Sequence, residues 1–211
     1  MLRVLIVGLV LLAAATVWLS GARRTLPAPQ LATVFDTPRV LPDVELTDHL
    51  GREFSTTRLN GQFSFLFFGF THCPDICPIT LKLLADAKAD LLARGLQPPA
   101  VVFVSVDPQR DTPEQIERYL KGFDAEFLGV TGNAQALQPL LQQLGVYVQT
   151  HGRAGEAAYS VTHSTAVFLI GPQADLVAVF GAPHQAAIVA SDYLRIRQRY
   201  FRDNPTPAGP I

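Results

Sequence analysis

The sequence predicts an α/β domain, a mixed sheet flanked by helices, and three observations carry that expectation. Two continuous apolar runs, Phe63–Phe68 and Val101–Val106, have the length and composition of strands buried on both faces. A helical pattern follows each of them, and a late strand pair with a closing helix completes the alternation. Both cysteines of the chain, Cys73 and Cys77, fall in the turn between the first buried strand and its helix.

The elements follow in order. No charge occurs from Val4 to Ala22, a run that would span about 28 Å as a helix, roughly a bilayer core. Arg3 precedes it and Arg23–Arg24 follow it, so basic residues do not set its orientation. It exceeds the 7–15 apolar residues of a signal peptide, which favours an uncleaved single-pass anchor over residues 1–24. The alternative is a signal peptide cut after Ser20-Gly21-Ala22. A Ser- and Arg-rich transit peptide is missing, which favours a bacterial protein, held in the inner membrane with its domain in the periplasm. Residues 25–42 hold Pro27, Pro29, Pro38 and Pro42 without a clear period and read as an extended tether. The domain proper covers residues 43–203, and residues 204–211 form a Pro-rich flexible tail.

Within the domain, Val44–Thr47 and Arg52–Ser55 flank Asp48-His49-Leu50-Gly51, an N-terminal β-hairpin extension. After the first buried strand and the cysteines comes a helix through Leu81, Leu84, Ala87 and Leu91, stopped by Gly95. Val101–Val106 is the second buried strand. Thr112 caps the next helix, with Pro113 at its first position and Gln115 completing a capping box. Ala134–Leu144 is a further helix closed by Gly145, and Val146–Val148 a short strand. His151–Tyr159 reads as a mobile loop, Thr165–Ile170 and Leu176–Phe180 as a hairpin, and Ala186–Arg199 as the last helix. With a cysteine pair at the first strand–helix junction, this order fits a thioredoxin-like fold.

Composition narrows the function. Charged residues are 17% of the chain and its formal net charge is −1, so no basic excess exists to hold nucleic acid. Chemistry is sought at the cysteines, where the free amides and dipole of a helix N-terminus favour an anionic sulfur and a lowered thiol pKa. Their spacing is Cys-x-x-x-Cys, which on a regular helix sets the Cβ atoms about 5–6 Å apart. A disulfide wants about 3.5–4.5 Å, whereas two thiolates on one metal tolerate more. Pro74 and Pro78 can distort the turn, so a metal bridge and a disulfide both stay open. Two thiolates are too few for structural zinc, but with one imidazole they suit copper, as Cu(I) or Cu(II). Among the five histidines, His72 reads as a polar turn residue, His49 and His184 as solvated, and His151 as part of the mobile loop. His163 precedes the strand Thr165–Ile170, a junction that lies opposite the cysteine turn in a thioredoxin-like fold.

FGFTHCPDICP, SVDPQRDTPE and THSTAVFLI, in this order, resemble the SCO/SenC family of copper chaperones for cytochrome c oxidase assembly. The resemblance covers residues 41–200 and extends to the anchor followed by a tether. It implies a thioredoxin-like fold and copper ligands Cys73, Cys77 and His163. Where the family often has Asp before that histidine, this chain has Thr162, which touches only the support of the imidazole. Asp107, Arg110 and Asp111 match the second motif, as turn and cap residues or with Asp107 near the metal. The resemblance further implies delivery of copper to the binuclear copper centre of oxidase subunit II. Its partners would be that subunit, a periplasmic copper carrier and a thioredoxin-like reductant. The alternative is a thiol–disulfide reductase using Cys73 and Cys77, with Cys73 as the attacking thiolate. A thiol peroxidase fits less well, because Thr71 stands only two residues before Cys73. A reductase needs no imidazole opposite its thiols, so His163 favours a metallochaperone rather than an enzyme.

Overall fold

The structure, a computed structural model, describes residues 27–152 and 159–204. The anchor expected over residues 1–24 lies outside the described residues, as does nearly all of the expected tail. Among the described residues no helix is long and apolar enough to cross a membrane.

Among the described residues, ten strands and four α-helices follow one another. They are β1 (Ala32–Val40), β2 (Leu46–Asp48), β3 (Glu53–Phe54), β4 (Ser64–Gly69), α1 (Ile76–Ala93), β5 (Ala100–Ser105) and α2 (Pro113–Leu120). Then come β6 (Leu128–Thr131), α3 (Ala134–Leu144), β7 (Val148–His151), β8 (Ser160–His163), β9 (Val167–Ile170), β10 (Asp175–Phe180) and α4 (Ala186–Asp203). Eight strands form one mixed sheet in the order β1-β10-β9-β4-β5-β6-β2-β3, and β7 and β8 pair in a separate ribbon. β4 is central, parallel to β5 and antiparallel to β9. All six of its residues are buried, as its apolar run requires. Its aromatic rings meet their neighbours edge to face, Phe65 on Phe180 and Phe68 on Phe168.

The helix boundaries follow the local chemistry. Thr112 accepts from the Gln115 amide at the start of α2, and Asn133 from the Ala136 amide at the start of α3. Gly145 ends α3 in the left-handed region at φ 66°, where a side chain would be strained. The hairpin β2–β3 forms at the expected turn and pairs with β6.

The tether is a correction. Ala32–Val40 is strand β1, paired antiparallel with β10 as an edge of the main sheet. Pro38 is tolerated there because it lies on an edge strand, within the irregularity between Val34 and Arg39. The buried Asp192 carboxylate of α4 fixes the start of β1, accepting the backbone amides of Gln30 at 2.8 Å, Leu31 at 2.7 Å and Ala32 at 3.1 Å. Besides β1, two strands, β6 and β8, were not expected from the sequence, and the short strand at Val146–Val148 lies instead at Val148–His151.

Candidate metal centre

β4 ends at Gly69, and the chain turns through Phe70–Asp75 into α1. Gly69 is required by proximity. A Cβ there would lie 2.7 Å from the Phe103 ring and 3.0 Å from the Cys77 sulfur. Cys77, the second residue of α1, is fully buried against this strand end, while Cys73 stands half-buried in the turn. Both are free thiols.

The turn is held by Asp111, a fully buried carboxylate between β5 and α2. It accepts the Thr71 amide at 3.0 Å, the Thr71 hydroxyl at 2.6 Å and the Ser105 hydroxyl at 2.6 Å. A buried carboxylate needs such donors to be tolerated, and in return it fixes the residue two places before Cys73.

His163 is the last residue of β8. Its Nε2 lies 3.3 Å from the Cys77 sulfur, and its Nδ1–H donates to the Ser164 carbonyl at 2.8 Å. A carbonyl can only accept, so the Nε2 lone pair faces the thiols. Phe67 and Phe70 meet the imidazole edge to face. Burial holds the imidazole below its ordinary pKa of 6.5 and keeps it neutral, as a metal ligand must be.

The donor atoms of Cys73, Cys77 and His163 all lie within 4.8 Å of one another. Metal–donor bonds of about 2.0–2.3 Å span such separations with small shifts. Two soft thiolates and one imidazole match copper and leave a hard divalent ion poorly served.

One expectation is overturned at Cys77. The helix N-terminus does not lower this thiol; burial pushes its pKa well up, and the Phe70 amide that bonds it offsets only part of the rise. The desolvation of a fully buried sulfur outweighs the helix end. Cys77 is therefore a neutral thiol near neutral pH, and it must release its proton to bind metal.

The remaining histidines are placed elsewhere. His72 is exposed, bonds Thr71 and faces Asp111. His49 and His184 are half-buried rather than solvated. His49 accepts the Gly129 amide and His184 donates to the Thr165 carbonyl, each completing a backbone group. His151 belongs to strand β7, where it bonds Thr162, and not to the expected loop. Thr162 is thus turned to His151, and the Ser164 carbonyl gives His163 the support that Thr162 does not. Asp107 stands outside the donor cluster, bonded to Arg110 and Tyr159. The parts that sequence reasoning missed are Gly69, the Asp111–Ser105–Thr71 network and Tyr159. Gly69 and Thr71 had a signal in the FGFTHCPDICP motif and Ser105 and Asp111 in SVDPQRDTPE, whereas Tyr159 lies outside all three motifs.

The SCO1/SenC family model matches residues 34–198. The chain belongs to the SCO1/SenC family. A relative from Stutzerimonas stutzeri, named for copper binding, is 41% identical over 146 residues, 69% of this chain and 71% of its own length. The copper-bound structure of Arabidopsis thaliana ScoI superposes with a TM-score of 0.70 at 30% identity, covering 76% of this chain and 99% of that one. Copper-bound yeast Sco1 gives a TM-score of 0.70 at 28% identity over 81% of this chain and 92% of the other. As a SCO1/SenC protein the chain has a general role in copper handling, and its mixed sheet with flanking helices matches these thioredoxin-like structures.

Proposed function

We propose that the protein is a membrane-tethered copper chaperone that binds copper through Cys73, Cys77 and His163. It delivers the metal to the binuclear copper centre of cytochrome c oxidase subunit II. The single observation that carries this reading is the 3.3 Å approach of His163 Nε2 to the Cys77 sulfur, with its lone pair aimed at the thiols. A thiol–disulfide reductase has no use for that imidazole, and Cys77 as a buried, undissociated thiol is a slow partner for exchange. Family membership and the copper-bound relatives support the metal, and the uncharged run before residue 24 supports a periplasmic domain on an inner-membrane anchor.

Transfer is the test. The full-length chain loaded with Cu(I) is mixed with the apo soluble domain of subunit II, and copper is followed into the acceptor with thiols kept reduced. Copper should move from the wild-type chain, and neither Cys73→Ser nor Cys77→Ser should load or donate. Reduction of an oxidised acceptor without movement of copper would instead select the reductase.

A further inference from the structure

The two halves of the metal centre come from different sheets. The thiols stand at the end of the main sheet, whereas His163 is carried by the β7–β8 ribbon, which among the described residues pairs with no other strand. An isolated two-stranded ribbon is marginal by itself, so the position of the imidazole depends on what fastens the ribbon. At the entry to β8 stands Tyr159, with 9% of its surface exposed. Its hydroxyl donates to Asp107 Oδ1, its carbonyl accepts from Arg110 at 3.0 Å, and the Arg110 guanidinium lies 3.7 Å from its ring centroid. Arg110 Nε pairs with the other Asp107 oxygen at 2.5 Å, and the guanidinium carbon lies 5.7 Å from the centroid of the Phe70 ring, itself packed on His163. Asp107 thus gives one carboxylate oxygen to the Tyr159 hydroxyl and the other to Arg110, whose guanidinium lies against the same tyrosine.

These residues lie on the same short loop as Asp111, which holds the cysteine turn through Thr71. One loop, residues 106–112, therefore grips both halves of the centre. Resting on the ligand reading above, we propose that Asp107, Arg110 and Tyr159 form a latch that positions His163 against the thiols. The three are positioning residues, and none of them touches the metal. With the latch intact the centre offers two thiolates and an imidazole. Without it the ribbon carries His163 away and leaves a two-thiolate site, which Cu(I) accepts and Cu(II) does not.

The test compares full-length wild type, Tyr159→Phe, Tyr159→Ala, Asp107→Asn and His163→Ala. Cu(II) and Cu(I) affinities, the Cu(II) thiolate charge-transfer band and apo-state amide exchange are measured on each. Tyr159→Ala should lose about tenfold or more in Cu(II) affinity, in the range seen for residues that orient metal ligands, with a much smaller loss for Cu(I). Its band should move toward that of His163→Ala, and amides of β7 and β8 should exchange faster while those of β4 and β5 do not. Tyr159→Phe keeps the ring on Arg110 and should recover most of the wild-type spectrum, with Asp107→Asn between the two. A wild-type band and affinity in Tyr159→Ala, with both lost in His163→Ala, would overturn the latch and leave the ligands standing. An unchanged band in His163→Ala would overturn the ligand reading itself. Exchange that quickens equally in β4, β5 and the ribbon would make Tyr159 a general stabiliser and end the proposal.

Discussion

At the scale of single residues, Cys77 and His163 divide the work of a metal site by their protonation. Burial raises the Cys77 pKa above its ordinary 9.0 and lowers that of His163 below 6.5. Both shifts favour the neutral forms, so the apo centre carries no charge on either group at neutral pH. The signs lead to one expectation for binding and one for stability. Because Cys77 holds its proton in the apo protein, Cu(I) must displace it, and apparent affinity should climb by about tenfold per pH unit for this thiol alone. His163 adds little to that slope above pH 6.5, since it is already deprotonated. A competition titration between pH 6.5 and 8.5, with proton release followed by an indicator dye, checks this; a flat affinity would mean that Cys77 is not a ligand. In the apo protein, the contribution of Cys77 to stability is complete below pH 9 and is lost as pH rises above it. That of His163 is complete above pH 6.5 and declines as pH falls below it, toward the lowered value.

At the scale of elements, the site is built where β4 runs into α1, and the fit there is tight. Gly69→Ala would drive a methyl into Phe103 and Cys77, so overpacking should cost about 1–3 kcal/mol and displace the sulfur. Chemical denaturation and Cu(I) competition should both register the change, while Gly181→Ala, with open space around it, should register in neither. What was legible in the sequence follows from which elements carry a local signature. The runs of β4 and β5 are apolar throughout because both faces are covered, and the cap Thr112 and the stop at Gly145 act within their own turns. β6 escaped notice because it is four residues long with Gly129 inside it, and a lone glycine reads as a loop. The reason for that glycine is tertiary, since a Cβ would lie 2.1 Å from the Ile116 side chain of α2. β1 was hidden by Pro38, which only its edge position permits, and β8 by a short, largely polar sequence. Cys73, Cys77 and His163 were legible as types and motif, and residues 106–112 as part of SVDPQRDTPE; the contacts of that loop were not, because hydrogen bonds such as that from Tyr159 to Asp107 join residues 52 apart.

At the scale of the whole molecule, the registers place the entry of the chain and the metal centre at one end of the sheet. Ala32 pairs with Phe180, Phe180 with Val167, and Val167 with Phe67, next to the end of β4. Three strand spacings separate β1 from β4, about 14 Å. Asp192 clamps Gln30, so if residues 1–24 are the proposed anchor, residues 25–29 would link it to the domain, at most about 18 Å of chain. With that anchor in a bilayer, the metal centre should face the membrane and the turn of the β2–β3 hairpin should point away. Fluorophores on Ile79→Cys in α1 and on Leu50→Cys in that turn, both exposed positions, report the difference in a Cys73→Ser, Cys77→Ser background. Energy transfer to labelled lipid headgroups should be stronger from position 79. Equal transfer, or stronger transfer from position 50, would contradict this orientation.

The claim on which the rest depends is that Cys73, Cys77 and His163 together hold copper. X-ray absorption of the full-length chain loaded with Cu(I), beside His163→Ala, measures that coordination directly. The wild-type spectrum should fit two sulfurs and one imidazole nitrogen, and His163→Ala should keep the two sulfurs and lose the imidazole. A wild-type shell without two sulfurs, or an imidazole that persists in His163→Ala, would contradict the account.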